Sequence, residues 1–264
     1  MCRVLEVSYS GYYKWRNRQK TPDPDATLKE LIQHRYKVSK GSAGYRQITL
    51  QLRNHHATLV NHKAVYRIMK KLGIQSVARR RRAYTHYSDA IHRYNNIFNR
   101  DFSAERPNQK WVTDITYIQT EQGVLYLSAI KDLYDGFIVG HRFGTEQSIN
   151  LVTMTIKDAL QREKAASGLA LHSDQGFQYT SHAYYRLTQE YDITPSMSRR
   201  GNCLDNASME NFFGMLKTEW IQRRKFSTIG EAQEAVEQYI HYYNYERYQL
   251  KTKLTPYEKR CQSV

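Results

Sequence analysis

The chain has 264 residues, 40% hydrophobic and 25% charged, which suits a globular protein of one large domain or two modest ones. No run approaches the roughly 18 apolar residues that span a membrane. Residues 1–5 are too short for a secretory core, and Cys2, Cys203 and Cys261 are too few and scattered for disulfides or a zinc site, so a reduced, cytoplasmic protein is expected. Net charge is +15, distributed unevenly: residues 1–110 hold 23 Lys and Arg against 7 Asp and Glu, residues 111–264 hold 17 against 18. That excess points to a polyanionic partner held by the first half.

In chain order, residues 1–25 form a basic segment containing Ser10-Gly-Tyr-Tyr13-Lys-Trp15 and closing on Thr21-Pro-Asp-Pro-Asp25, a turn by its two prolines. Residues 26–78 read as three helices. The first runs over 26–38, with Leu28, Leu31 and Ile32 on one face, and is broken by Gly41-Ser-Ala-Gly44. The second covers 45–54. The third, 62–72, has Asn61 as N-cap, a stripe of Val65, Ile68, Met69 and Leu72, and Gly73 as its stop. This is helix-turn-helix-like, with a turn at 54–60 longer than usual. Lys63, Arg67, Lys70 and Lys71 on the third helix are candidate DNA contacts. His55, His56 and His62 have no thiolate partners and read as solvent- or DNA-facing. Residues 79–106 are a basic linker. It opens on Arg79-Arg80-Arg81-Arg82 and interleaves Tyr84, His86, Tyr87 and Tyr94, a composition suited to phosphates.

From Trp111 the pattern shortens to strands over 111–117, 124–130 and 137–143, separated by Glu121-Gln-Gly123 and Asp135-Gly136. A helix over 148–162 follows, then a strand 169–173, a helix 181–191, a strand 193–196 and a helix 204–222. A last helix spans 229–245. Domain bounds of 107–225 for this core and 226–264 for the C-terminal helix and tail are expected.

Three carboxylates stand out. Asp114 interrupts the strand-like run Trp111-Val-Thr113-Asp114-Ile-Thr116-Tyr117. Asp174 sits in Leu171-His172-Ser173-Asp174-Gln175-Gly176, and Glu210 lies on a helix in Asp205-Asn206-Ala-Ser-Met-Glu210, with 35 residues between the two acids. An unpaired charge inside a strand is costly, whereas acids converging on Mg²⁺ or Mn²⁺ have a reason to be there. A pair of such ions can clamp the attacking and leaving oxygens of a phosphodiester. Any chain with 25 acids offers many carboxylate triples, so the context matters. Thr113, Thr116, His172, Ser173 and Gln175 flank the aspartates as groups able to orient metal-binding oxygens. Asp132 and Asp135 read as turn residues, and Asp205 as an anion at a helix N-terminus. Asn206, one turn before Glu210, shares its face and is expected to steer it or touch DNA. Lys217, two turns after Glu210, returns to nearly the same face.

These segments resemble the catalytic motifs of bacterial insertion-sequence transposases, specifically the catalytic (OrfB-type) product of the retroviral integrase-like DDE superfamily. Cys2-Arg-Val-Leu, Ser10-Gly-Tyr-Tyr, Tyr243-Asn244 and Thr255-Pro256 extend the match along the whole chain. The resemblance implies an α/β, ribonuclease H-like core, with a mixed five-stranded sheet flanked by helices, after a small all-α domain. It implies catalysis by Asp114, Asp174 and Glu210 with Mg²⁺ or Mn²⁺, two ions, and strand transfer between double-stranded DNAs by a copy-out route. It places Lys217 and the loop carrying Arg199 and Arg200 against DNA. It also implies a homo-oligomer on paired ends, and an upstream-frame fusion or partner supplying a coiled coil. Two other readings stand beside it: a nuclease of the same fold, and a non-catalytic DNA-binding regulator derived from a transposase. The first has no need of so basic a first half, and the second would be free to lose its acids.

Overall fold

In this computed structural model residues 8–18, 23–76, 92–163, 168–199 and 202–262 are described. The chain divides into two units, Met1–Ser76 and Val77–Val264.

The first unit is helical: α1 (Tyr9–Arg18), α2 (Ala26–Val38), α3 (Tyr45–His56) and α4 (His62–Lys71). Ile32 of α2, Ile48 and Leu52 of α3, and Val65, Ile68 and Met69 of α4 are buried together. Asn61 caps α4 by accepting the Lys63 N–H at 2.9 Å, and Gly73 (φ 67°) ends it. The sequence expectation held for α2, α3 and α4; α1 lies in the stretch expected as a basic segment and is helical.

The second unit is built on a five-stranded sheet in the order β3-β2-β1-β4-β5. The strands are β1 (Lys110–Thr120), β2 (Gly123–Asp132), β3 (Ile138–Gly144), β4 (Ala170–Ser173) and β5 (Thr194–Met197). Residues 111–118 are rich in the β-branched and aromatic side chains that suit a pleated surface. β1 is central, antiparallel to β2 and parallel to β4. The β2–β3 hairpin is antiparallel and β4–β5 parallel.

Helices cover both faces. α5 (Ile149–Glu163) and α6 (His182–Glu190) share a core with Trp111, Ile130, Val139 and Leu171. A Cβ at Gly140 would lie 2.7 Å from that of Ala159, so the absent side chain lets α5 lie close against β3. On the other face lie α7 (Ala207–Leu216) and α8 (Ile229–Tyr245), with Val112, Ile118, Leu127 and Ala129 beneath Phe212, Leu216, Trp220 and Tyr239. Side chains alternate along a strand, so the even positions of β1, Asp114 included, point toward α7.

The helix expected over 204–222 is in fact three pieces: a 3₁₀ turn Cys203–Asn206, α7, and a π-helical turn Lys217–Ile221. In the π turn Glu219 is paired with Arg247 at 2.7 Å and accepts the Tyr239 hydroxyl at 2.9 Å. A last helix, α9 (Pro256–Cys261), went unanticipated and carries a complete capping box between Thr255 and Glu258. Its Arg260 reaches Asp132 (3.3 Å), Asp135 (2.7 Å) and Glu163. Asp132 and Asp135 do accept turn N–H groups, from Tyr134 and Phe137. They are more than turn residues, however, because both are buried in this ion-pair cluster.

Candidate active site

The parallel register pairs Lys110 with Ala170, Trp111 with Leu171 and Val112 with His172. Asp114 and Asp174 each lie two residues past the last pair. Asp114 lies within β1 and Asp174 just past the end of β4, so the register runs in step toward both acids. Glu210 lies in the first turn of α7, which packs on β1. Asn206 pins the helix entry there, donating to the Thr113 carbonyl at 3.3 Å. The three acids share one electrostatic neighbourhood. Burial pushes the Asp114 carboxyl well above its ordinary value, and Asp174 and then Glu210 add repulsion, opposed by the Ile115 N–H and the Lys217 ammonium.

Main-chain groups hold the aspartates. Ile115 N–H donates to Asp114 Oδ1 at 2.7 Å, and Gly176 N–H to Asp174 Oδ1 at 2.8 Å. A Cβ at Gly176 would fall 2.9 Å from Asp174 Oδ1, so glycine is what permits this close approach. As they stand, no three acidic, His or Cys side chains among the described residues close on one ion-sized point. The donor set nonetheless fits a hard divalent cation: three carboxylates, one of them strongly disfavoured as an uncompensated anion.

The groups expected to orient the carboxylates are buried or partly buried around them. Thr116 points to the same face as Asp114. The hydrogen bonds of the others run to neighbouring hydroxyls and carbonyls. His172 bonds through both ring nitrogens to the hydroxyls of Ser196 (2.8 Å) and Ser198 (3.0 Å). Burial lowers its pKa to about 4, so the ring is neutral near pH 7. Ser173 donates to the Asp174 carbonyl at 3.1 Å, and Gln175 donates to the Ser198 carbonyl at 3.0 Å.

Two residues beside the acids were missed in the sequence. Tyr179, fully buried, shares a hydrogen bond with the Thr113 hydroxyl at 3.2 Å. Burial and then the charges of Asp114 and Asp174 push its hydroxyl well above the ordinary tyrosine value. Tyr117 lies under the Lys217 ammonium, 4.9 Å from ring centre to nitrogen. Tyr117 sits in a run that reads as strand and Tyr179 between two expected elements, so nothing in their spacing marked them.

Among the residues expected to meet DNA, Lys63, Arg67, Lys70 and Lys71 are exposed on α4, with Arg67 paired to Asp25 at 3.1 Å. Asn206 is a correction: it is 3% exposed and turned inward onto β1. Arg199 is half-exposed but forks onto Asp205. Arg79, Arg80, Arg81, Arg82 and Arg200 lie outside the described residues.

The five-stranded mixed sheet, in its order and with helices on both faces, defines an integrase-type, ribonuclease H-like core. Residues 104–203 and 210–264 each match an integrase core domain model, and residues 23–82 match an HTH-like domain. The chain is 38% identical over 264 residues to the putative transposase InsK for insertion sequence element IS150 of Escherichia coli K12, covering all of this chain and 93% of that protein. It is 41% identical over 206 residues to an uncharacterized transposase-like protein of Haemophilus influenzae, covering 78% of this chain and 95% of that one. A chain of the simian T-cell lymphotropic virus intasome, solved in complex with PP2A regulatory subunit B56 gamma, shares the fold. Its TM-score is 0.52 at 14% identity, over 87% of this chain and 74% of that chain. The chain belongs to the bacterial insertion-sequence transposases of the integrase superfamily.

Proposed function

We propose that this transposase cuts a phosphodiester at each end of its element and joins the freed 3′-hydroxyl to target DNA, with Asp114, Asp174 and Glu210 as its catalytic residues. The observation that supports the reading is the β1–β4 register, which runs in step toward both aspartates while Asn206 fastens the helix of Glu210 to β1 beside Asp114. Asp114 and Asp174 would hold the cations, and Glu210, with three side-chain torsions, would complete their coordination. Two Mg²⁺ or Mn²⁺ ions bound there supply activation of the attacking oxygen and neutralisation of charge at phosphorus. In cleavage, water adds to phosphorus as the P–O3′ bond breaks, leaving a 3′-hydroxyl and a 5′-phosphate. In joining, that 3′-oxygen bonds to a target phosphorus as another P–O3′ bond breaks, so the number of phosphodiesters is conserved. Little covalent chemistry falls to the protein; its residues position the strands and balance charge.

Lys217, held beside the acids over Tyr117, offers its ammonium to a phosphate oxygen. The exposed bases of α4, and the arginines at 79–82, are assigned to duplex binding. Two ends must be held together, so the working form is a homo-oligomer on DNA. An upstream-frame partner or fusion belongs to the same proposal.

The test is cleavage and joining by the full chain, using duplexes from the element's two boundaries, a supercoiled plasmid target and Mg²⁺. Asp114→Asn, Asp174→Asn and Glu210→Gln should each abolish both steps and leave duplex binding intact. Near wild-type joining by Glu210→Gln would rule the assignment out.

A further inference from the structure

Asp205, expected as an anion at a helix N-terminus, stands in the turn that opens α7 and is in addition buried. Its carboxylate is fully buried and accepts four hydrogen bonds. Arg199 supplies three, from Nε (2.9 Å), Nη2 (2.9 Å) and its own main-chain N–H (3.0 Å), and Arg100 Nε supplies the fourth at 3.2 Å. Arg100 also donates to the Asn202 side chain at 3.2 Å, and Asp205 N–H to the Asn202 carbonyl at 3.1 Å. A bidentate arginine fork of this kind fixes direction as well as charge.

The cluster lies between the elements that carry the three acids. On one side, Ser198 N–H donates to the Ser173 carbonyl at 2.9 Å, joining the Arg199 segment to the strand before Asp174. On the other, Asn206 holds the helix entry to Thr113, the residue before Asp114. Glu210 follows Asp205 by five residues on the helix that begins there.

We propose that Asp205 is a positioning residue: gripped by Arg199 and Arg100, its buried carboxylate fixes the entry of α7 and thereby the place of Glu210, and Arg199 works inside the protein as that carboxylate's partner. This rests on Glu210 being catalytic. An arginine serving as a phosphate contact needs neither a buried carboxylate as partner nor a main-chain bond to the same oxygen.

The test uses the full chain with Asp205→Asn, Arg199→Gln, their combination, Arg199→Lys, and Glu210→Gln as control. A labelled boundary duplex reports affinity, and end cleavage at saturating duplex reports rate. Each single change should slow cleavage about 10- to 100-fold, raise the Mg²⁺ concentration for half-maximal rate, and leave duplex affinity within about twofold of wild type. The double variant should be no slower than the slower single, because the two residues act as one unit. Arg199→Lys, which keeps one ion pair, should recover part of the rate. Amide exchange over 207–211 should quicken in the slow variants. Should Asp205→Asn fail to fold, Arg199→Gln and Arg100→Gln, altered from the exposed side, carry the test alone. Weakened duplex binding by Arg199→Gln at an unchanged saturated rate makes that arginine a DNA contact and overturns the proposal, as do multiplicative losses in the double variant. If Glu210→Gln still cleaves, the catalytic assignment has failed. If Glu210→Gln is inactive while Arg199→Gln cleaves normally, only the positioning role has failed.

Discussion

The side-chain amide of Asn206 donates to the main-chain carbonyl of Thr113 at 3.3 Å, fastening the helix of Glu210 to the strand of Asp114 one residue before the acid. The contact is buried, and Asn206 Oδ1 has no hydrogen-bond partner among the described residues. Burying an amide with half its capacity unmet is unfavourable, so the retained bond has work to do in setting the distance between helix and strand. Asn206→Ala should slow cleavage by about tenfold or more and leave duplex affinity unchanged. Asn206→Asp should be worse, because it turns a carboxylate toward a carbonyl oxygen. A loss confined to affinity, measured by anisotropy, would return Asn206 to the DNA surface.

Gly176 offers a second handle on the same geometry. Its N–H holds Asp174, and a methyl there would stand 2.9 Å from Asp174 Oδ1 and 3.0 Å from Gln178 Oε1. The first contact makes the Asp174 carboxylate shift and the second asks the Gln178 amide to give by a few tenths of an ångström, so Gly176→Ala moves the carboxylate from its present place. That shift is expected to reduce the rate by about tenfold or more, with a stability change of only about 1 kcal/mol. Full activity in this variant would mean that Asp174 does not need its present orientation.

Much of this arrangement was legible in the sequence. The β-branched runs, the Glu121-Gln-Gly123 and Asp135-Gly136 breaks, and the stripe of α4 with its Asn61 cap are local signals, and the structure follows them within a few residues. The pairing of Asp114 with Asp174 was inferred from a family pattern, and the strand register runs in step toward both. What escaped was non-local. Asp205 meets Arg100 across 105 residues and Asp132 meets Arg260 across 128, and a charged residue is read by default as exposed. The π turn at Lys217–Ile221 carries Glu219, whose ion-pair partner Arg247 is again distant in the chain. α9 is different: Thr255-Pro-Tyr-Glu258 is a local capping signature, and its helix is simply short.

The Arg260 cluster should leave a pH signature. Burial holds the Asp132 carboxyl above the ordinary value. In Asp135, burial and then repulsion from Asp132 raise it to about 6, and Arg260 opposes both shifts. Below about pH 4 the two acids are neutral in the folded and unfolded chain alike. Between about pH 4 and 6 the fold keeps protons that the unfolded chain has released, so stability falls as pH rises through that window. Arg260 limits the fall by neutralising the ionised acids. Arg260→Gln should therefore destabilise the core by about 3 kcal/mol at pH 7.5 and by less than about half of that at pH 4.5. Urea unfolding followed by tryptophan fluorescence at the two pH values measures the difference. An equal loss at both would show that Arg260 acts by packing alone.

The exposed bases of α4 make a separate claim, about affinity rather than chemistry. Lys63, Arg67 and Lys70 recur at helical spacing on a solvent-facing side, with Lys71 next to them. Each base that neutralises a duplex phosphate adds about 0.9 to the slope of log affinity against log salt. Arg67 already has Asp25 as a partner, so its share is smaller. Replacing all four with alanine in the full chain should lower that slope by about three. Affinity for boundary and unrelated duplexes should fall together if the contacts are to phosphates, since such contacts carry no sequence information. Cleavage at saturating duplex should be unaffected, because none of the four lies in the unit that carries the acids. An unchanged slope would place the duplex elsewhere on the protein, and a fall in affinity for boundary duplexes alone would mean that α4 reads bases.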